Sequence, residues 1–444
     1  MKPQQLPLVL AASLAVATIA APGHTETMNL DAELAARMAV QASTLTISAA
    51  DRVEATQSTV KAADAARLPV ISANATVVQR SAVPEFGVPT DDPNQPVFIL
   101  FPNIENTYSA DLTLSQPIYT GGGIAANREA ARMDESAASW SQSLTVLDLA
   151  YSARTLYWSA VAAEAGVDVA DAQVTRTRRL LDDARALQEA GMAVNADVFA
   201  AEARTAAADV DVIRAKTEDE KSLTALRSLL GLDPTTVIVL VDATTEKVPT
   251  RPQSLTELQS AALEGRPELR VADAQIEGLG ARARATNAAR IPTVGLSAHW
   301  KYARPNERFL PPVDEGNDSW GIALGASWRF FDGSRTKSQV ASVHAEQRAV
   351  QADRGELERR ILLEVETARL ELQAALEAVT SADAAAAAAE AWEEASSERY
   401  AAGLAMLSEL LDAQADLTSA EVAQVKTRVS AWLAEVTLRR AIGR

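Results

Sequence analysis

The 444-residue sequence contains no cysteine, so the chain cannot form a disulfide, a thiolate metal site or a lipid-modified cysteine. It has only three histidines, His24, His299 and His344, and their spacing does not match that of metal ligands. It also lacks a nucleophile elbow or another recognisable catalytic motif. We therefore predict that the protein is not an enzyme and needs no cofactor or metal.

Apolar runs long enough for a transmembrane helix, about 18 residues or more, are missing after residue 21. Before that point, Lys2 and the apolar run Leu6–Ala21 predict a secretory signal peptide over residues 1–21. A hydrophobic first helix of a cytosolic protein is the alternative.

Because no segment after residue 21 is long and apolar enough for a transmembrane helix, a mature chain that crosses a bilayer must use β-strands in a closed barrel. An open sheet would leave backbone groups unpaired in lipid.

Basic residues are outnumbered by acidic ones, 42 to 59, which gives a formal net charge of -17. This balance argues against nucleic acid as a partner, since phosphates are bound by lysine and arginine. It suits a surface or lumen that attracts cations.

The second half of the chain repeats the first. Ala65–Pro69 recurs as Ala288–Pro292, an offset of 223 residues, and Ala190–Met192 recurs as Ala402–Leu404, an offset of 212. A period this long indicates duplication of a whole structural unit rather than a short solenoid repeat. The predicted organisation is a signal peptide over residues 1–21, a first repeat over 22–233, a connector over 234–252 that includes a short strand near 235–241, and a second repeat over 253–444.

Within each repeat, apolar and polar residues alternate with the period of a β-strand in two segments near the ~9 to 11 residues that a tilted membrane strand needs. The segments form two predicted hairpins, over 69–119 and 291–331. Alternation alone also fits a soluble sandwich. On the membrane interpretation, the apolar face meets lipid, and its predicted members are Tyr108, Leu112, Leu114, Leu296, Trp300, Ile322, Leu324 and Trp328.

Four strands are too few for a barrel with a lumen, since small single-chain barrels begin at about eight strands. We therefore expect several copies of the chain to share one barrel. The sequence thus predicts an oligomeric membrane protein of mixed α/β class.

Long helical segments follow each strand hairpin, and Asn29–Arg67 predicts a further helix before the first one. Helical hairpins are predicted over 122–230 and 333–442, with first arms of about 100 Å at 1.5 Å per residue. They turn at Gly191 and Gly403. A narrow apolar stripe of coiled-coil spacing marks the second hairpin, with members Leu357, Ile361, Val365, Ala368, Leu372, Ala375 and Val379.

Acidic residues recur beside both helical turns. Asp197 lies six residues after Gly191, Glu409 lies six after Gly403, and Asp412 follows one helical turn later. Carboxylates at helix N-termini commonly complement the helix dipole, which explains each of them singly. Their recurrence in both repeats favours a shared role.

Several motifs resemble those of the TolC family of outer-membrane factors, which are export ducts of Gram-negative bacteria. They are Leu114–Gly122 at a strand-to-helix junction, Trp328–Gly333 at its counterpart, Leu229–Gly231 at the end of the first helical hairpin, and Tyr400–Leu404 leading to Glu409–Ala413. The resemblance covers almost all of the mature chain. It implies a homotrimer with one twelve-stranded barrel, four strands per chain, continued by a coiled-coil helical tunnel in the periplasm.

The resemblance also assigns roles to residues. It places Asp197, Glu409 and Asp412 at the periplasmic entrance, and Gly191, Met192, Gly403 and Leu404 at tips that meet a periplasmic adaptor. The implied partners are this adaptor, an inner-membrane pump and outer-membrane lipid. Neither 190–197 nor 401–411 contains lysine or arginine, which argues against an ionic latch at the entrance. The alternative function is a periplasmic coiled-coil adaptor or scaffold without a pore.

Overall fold

The computed structural model describes residues 27–91, 93–94, 97–241 and 248–444. The predicted signal peptide and residues 242–247 of the predicted connector lie outside these ranges. The elements in chain order are β1 (Thr27–Leu30), α1 (Ala32–Ala42), α2 (Thr44–Ala65), β2 (Val70–Gln79), β3 (Phe86–Pro89), β4 (Val97–Phe101), β5 (Asn106–Tyr119), α3 (Gly123–Glu189), α4 (Asn195–Leu230), β6 (Val237–Leu240), α5 (Leu255–Gly265), α6 (Pro267–Asn287), β7 (Thr293–Arg304), β8 (Asn317–Ser327), α7 (Arg335–Ala401) and α8 (Leu407–Ala441).

Apart from the β3–β4 hairpin, which among the described residues only the first half contains, the two halves of the structure correspond element by element. Helices α3 and α7 both contain 67 residues, and their first residues, 123 and 335, are 212 apart. Helices α1 and α5 both contain 11 residues. Ser43 separates α1 from α2, and Arg266, 223 residues later, separates α5 from α6. The same offset of 223 residues relates the first residues of β2 and β7. Helices α5 and α6 lie ahead of the strands of the second half, in a part of the chain for which the sequence pattern makes no prediction of secondary structure.

The segment predicted as one helix over Asn29–Arg67 is three elements. Asn29 and Leu30 belong to β1, which pairs in parallel with β6. The remainder is divided at Ser43, whose extended backbone ends α1 and whose hydroxyl accepts a hydrogen bond from the Leu45 amide of α2. A serine at this position stabilises a new helix start, which competes with continuation of the first helix.

A four-stranded antiparallel sheet has the order β2-β5-β7-β8, so the two repeats meet at β5 and β7. Strands β2 and β8 form its two edges. The long connection from β2 to β5, inside the first predicted hairpin over 69–119, contains the additional hairpin β3–β4. Strand β8 ends at Ser327, so Trp328, predicted as a strand residue, lies one position beyond it.

The main apolar cluster lies where α1, α3, α4 and α8 meet the small β1–β6 sheet. At its centre the indole rings of Trp158 and Trp432 stack with their centroids 4.6 Å apart, and the Tyr157 ring packs edge-on against Trp158. A second cluster joins α5, α6, α7 and α8 around Ile361, Val365 and Leu372 of the predicted coiled-coil stripe. Within the described ranges, no helix has both the length and the apolar character needed to cross a membrane.

Two carboxyl groups are placed unfavourably in the first helical hairpin. Burial raises the pKa of Asp219 on α4, and the neighbouring Glu220 raises it further. Burial also raises the pKa of Glu164 on α3, with contributions from Asp219 and Asp168. One carboxylate oxygen of Asp219 is buried and has no hydrogen-bond partner among the residues that the structure describes. A carboxyl group whose pKa is raised in the folded state opposes folding once the pH is high enough to ionise it.

We therefore expect Asp219→Asn to raise the melting temperature at pH 7. Below the pKa of an unfolded aspartic acid, near 4, the carboxyl group is protonated in both states and does not reduce the free energy of unfolding. The reduction appears above that pKa and is complete once the pH has risen through the pKa of the folded state. The gain from Asn should consequently shrink as the pH falls towards about 4. Circular dichroism melts across this pH range give the test, with Glu218→Gln, an exposed carboxylate on the same helix, as the matched control. A gain that is equal at pH 4 and pH 7 would contradict the assigned cause.

Candidate functional site

The apolar side chains of the four-stranded sheet share one face. Directly paired residues of neighbouring strands point to the same side of a sheet. The pairing connects Leu112 with Trp300, and Trp300 with Trp320. The same rows include Ala73↔Leu112, Ile71↔Leu114↔Ala298↔Ile322, Val77↔Tyr108 and Leu296↔Leu324.

The apolar face of the sheet is largely exposed to solvent in the single chain. The side chains of Trp320, Ile322 and Leu324 are 66, 68 and 71 % exposed. A single chain rarely leaves so contiguous an apolar surface in water unless that surface meets a membrane or another protein. Trp328, beyond the strand, is also exposed, and its indole N–H donates to the Arg290 carbonyl oxygen at 3.1 Å.

The opposite face of the sheet is polar and carries mostly small side chains. Asn74 donates to the Asp111 carboxylate at 3.0 Å, and Asp111 is paired across the sheet with Lys301. On β8 this face presents Ser319, Gly321, Ala323 and Gly325. The sheet therefore separates an apolar side from a hydrophilic side with little side-chain bulk.

At the far end of the long helices, both turns have the same construction. Gly191 and Gly403 have φ values of +76° and +71°, a region that favours glycine. The amide of the following residue donates to a carbonyl one turn back, Met192 to Leu187 at 2.8 Å and Leu404 to Arg399 at 2.7 Å. This is the hydrogen-bonding pattern of a Schellman turn, which satisfies carbonyl groups at a helix end.

The tips expose apolar side chains at matching positions of the two repeats. Met192 and Leu404 are 70 and 73 % exposed, and Val194 and Met406 are 63 and 74 % exposed. Beneath them, Leu180, Tyr400, Leu407 and Leu410 bury the contact between the two helical hairpins. The two tips are therefore packed side by side, and the apolar side chains at their ends remain exposed to solvent.

The three tip carboxylates have different environments. Asp197 accepts a hydrogen bond from the Val194 amide at 3.2 Å, which caps the start of α4. Glu409 accepts from the Arg399 guanidinium at 2.6 Å in an ion pair across the turn. Asp412 is exposed and has no hydrogen-bond or ion-pair partner among the described residues.

The ion pair brings a basic residue to the second turn, although neither 190–197 nor 401–411 contains lysine or arginine. Arg399 lies two residues before the 401–411 segment in which no lysine or arginine occurs. The turn folds it back onto Glu409, ten residues later in the sequence. Within one chain, therefore, the charge of Glu409 is balanced, whereas that of Asp412 is not.

Tyr400, the first residue of the Tyr400–Leu404 motif, is buried between the two helical hairpins. Its ring is 5 % exposed, and its hydroxyl is buried without a hydrogen-bond partner in the described part of the chain. Burial raises the pKa of the Tyr400 phenol, and the carboxylates of Asp197 and Asp183 raise it further. Tyr400 and Asp197 both line a cavity of about 480 Å³ between the two tips, whereas Glu409 and Asp412 do not.

Comparison with known proteins agrees with this architecture. The model of the family described as outer membrane efflux protein matches residues 37–232 and 258–444. Protein CyaE of Bordetella pertussis is 27 % identical over 349 residues, which are 73 % of this chain and 69 % of that protein.

Solved structures share the fold at low sequence identity. The outer-membrane protein VceC of Vibrio cholerae superposes with a TM-score of 0.75 at 20 % identity, covering 93 % of this chain and 96 % of that one. The outer-membrane channel MtrE of Neisseria gonorrhoeae superposes with a TM-score of 0.74 at 18 % identity, covering 93 and 88 % of the two chains.

Proposed function

The chain belongs to the outer membrane efflux protein family, and we propose that it is the outer-membrane duct of an export system. In this function, small molecules or proteins pass through it from an inner-membrane pump to the exterior. The duct is passive, and the pump supplies the energy, either from protons or from ATP. Within the described ranges, no group of three or more acidic or histidine side chains could hold a metal ion.

The observation that carries the proposal is the four-stranded sheet with one apolar face and two open edges. Unpaired strand edges cannot remain inside a bilayer, because their backbone groups have no water to bind. Pairing β2 of one copy with β8 of the next removes both edges. Three copies then give twelve strands, with apolar side chains towards lipid and the polar face towards the lumen.

The helices extend the same assembly away from the membrane. A helix of 67 residues is about 100 Å long, and each chain supplies two such helices with shorter antiparallel partners. Three chains then surround an axis with twelve helices. We propose that this helical tunnel lies in the periplasm, with the Gly191 and Gly403 turns at its far end.

The exposed apolar tips support docking of a periplasmic adaptor. We expect Gly191→Val together with Gly403→Val to weaken adaptor coupling strongly while the barrel still assembles. Among the described residues, a Cβ at either glycine would meet open space, so the cost is backbone strain from the positive φ rather than a clash. Crosslinking to the adaptor and an export assay measure the effect.

Gly166→Ala, in the interior of α3 where space is also open, is the control. Undiminished export by the double variant would remove these turns from the docking surface.

Reconstitution in planar bilayers tests the duct itself. Protein extracted from outer membranes should form discrete, long-lived conductance steps without any added energy source. A periplasmic scaffold without a pore, the alternative function, would remain in the water-soluble fraction and give no conductance. That outcome would overturn the proposal.

A further inference from the structure

The β3–β4 hairpin is an apolar segment outside the sheet that the rest of the chain leaves largely uncovered. Six of its seven large apolar side chains are between 40 and 57 % exposed, namely Phe86, Val88, Val97, Phe98, Ile99 and Phe101. They lie on both faces of the hairpin, because successive strand residues point to opposite sides. An isolated two-stranded hairpin is only marginally stable in water. A covering partner would therefore account for its composition.

The base of this hairpin is fixed to the end of the sheet. The Arg80 amide donates to the Glu105 carbonyl oxygen at 2.7 Å, and the Val83 amide donates to the Asn103 side chain at 3.0 Å. The rings of Phe86 and Phe101 pack with their centroids 6.2 Å apart. The hairpin thus projects from the end of β2, at the end of the sheet that lies away from the long helices.

A second apolar segment lies in the connection between β7 and β8. Phe309, Leu310 and Val313 are 45, 76 and 44 % exposed. Asn306, in the same connection, is buried and donates to the Asn317 carbonyl and the Ser319 hydroxyl at the start of β8. The segment is therefore anchored beside β8 with its apolar side chains directed outwards.

Closure of the sheet brings these two segments together. In the sheet order β2-β5-β7-β8, the edges run antiparallel, so pairing across copies places the end of β2 beside the start of β8. The β3–β4 hairpin of one copy then emerges next to the Phe309–Val313 segment of its neighbour. We propose that the two segments pack together as an apolar clasp between copies, a surface that rests on the proposed trimeric barrel.

Charge favours a second copy over the membrane surface as the partner. Residues 81–105 carry four acidic side chains and no lysine or arginine. A lipid surface that bears phosphate groups would repel such a segment. In the neighbouring connection, by contrast, Glu307 and Asp314 are paired with Lys301 and Arg304, so their negative charge is balanced within that copy.

Cysteine crosslinking provides a direct test, because the chain has no cysteine of its own. Phe98→Cys and Ile99→Cys, on opposite faces of the hairpin, are each combined with Leu310→Cys in the full-length protein in outer membranes. Oxidation should give disulfide-linked dimers and trimers for at least one pair, and none for the single variants. A pair of Phe98→Cys with Val194→Cys at the far tip is the negative control.

The strand edges are crosslinked in parallel, with Asn74→Cys combined in turn with Ser319→Cys, Gly321→Cys and Ala323→Cys. Linkage at the strand edges without linkage at either hairpin pair would overturn the clasp and leave the barrel standing. Failure at both sites would overturn the trimeric barrel and the clasp with it. Quenching of a fluorophore on Phe98→Cys by brominated lipid, with no crosslink, would identify the membrane as the partner instead.

Discussion

Leu324→Arg is expected to abolish assembly in the outer membrane, whereas Ala323→Arg, one residue earlier on β8, should assemble. Leu324 lies on the apolar face opposite Leu296, and Ala323 lies on the polar face opposite Ser297. An arginine that faces lipid near the middle of a membrane barrel costs about 2 to 4 kcal/mol. The loss is repeated in every copy, so its effect on a trimer is correspondingly larger.

The measurement is the amount of heat-modifiable, SDS-resistant oligomer in outer-membrane fractions. Leu112→Arg and Thr113→Arg repeat the comparison on β5, where the apolar face includes Leu112 and the polar face includes Thr113. The two strands belong to different repeats, which excludes an effect of one local environment. Equal assembly of the apolar-face and polar-face variants would show that the sheet does not face lipid as proposed.

Neutralising the tip carboxylates is expected to change ion selectivity. Per chain, Asp197, Glu409 and Asp412 with Arg399 give a local charge of -2, and the proposed trimer would gather this charge from three chains around its entrance. The triple variant Asp197→Asn, Glu409→Gln, Asp412→Asn leaves Arg399 without its ion-pair partner, so the local charge becomes +1. We therefore expect cation selectivity to fall and to shift towards anions.

The reversal potential across a planar bilayer under a salt gradient gives this selectivity. Arg399→Gln alone should shift it in the opposite direction, towards cations, because Glu409 then loses its counter-charge. Adding Arg399→Gln to the triple variant should restore part of the lost cation preference. Assembly should persist throughout, since Asn at position 197 can still accept the Val194 amide. An unchanged reversal potential in the triple variant would mean that these carboxylates serve only their helix ends.

The strand faces could be predicted because a period of two residues determines which side chains share a side. The pairing of Leu112 with Trp300 and Trp320 follows that alternation across both repeats. Helix lengths could be predicted because proline is absent and glycine is rare in α3 and α7. Both features depend on local patterns that are long enough to be unambiguous.

The missed features depend on contacts between distant residues or on short signals. Strand β4 has only five residues and lies among prolines and acids, so the sequence pattern does not predict it. The Arg399–Glu409 pair forms only because the Gly403 turn reverses the chain. Burial of the Tyr400 hydroxyl depends on packing between two helical hairpins that are two hundred residues apart.

The mass of the particle extracted from outer membranes tests the central claim most directly, because one four-stranded sheet cannot enclose a lumen. Light scattering of the protein in mild detergent, corrected for bound detergent, counts the chains in that particle. The account predicts three chains in each particle, recovered from the outer-membrane fraction. A single chain in the water-soluble periplasmic fraction would contradict it.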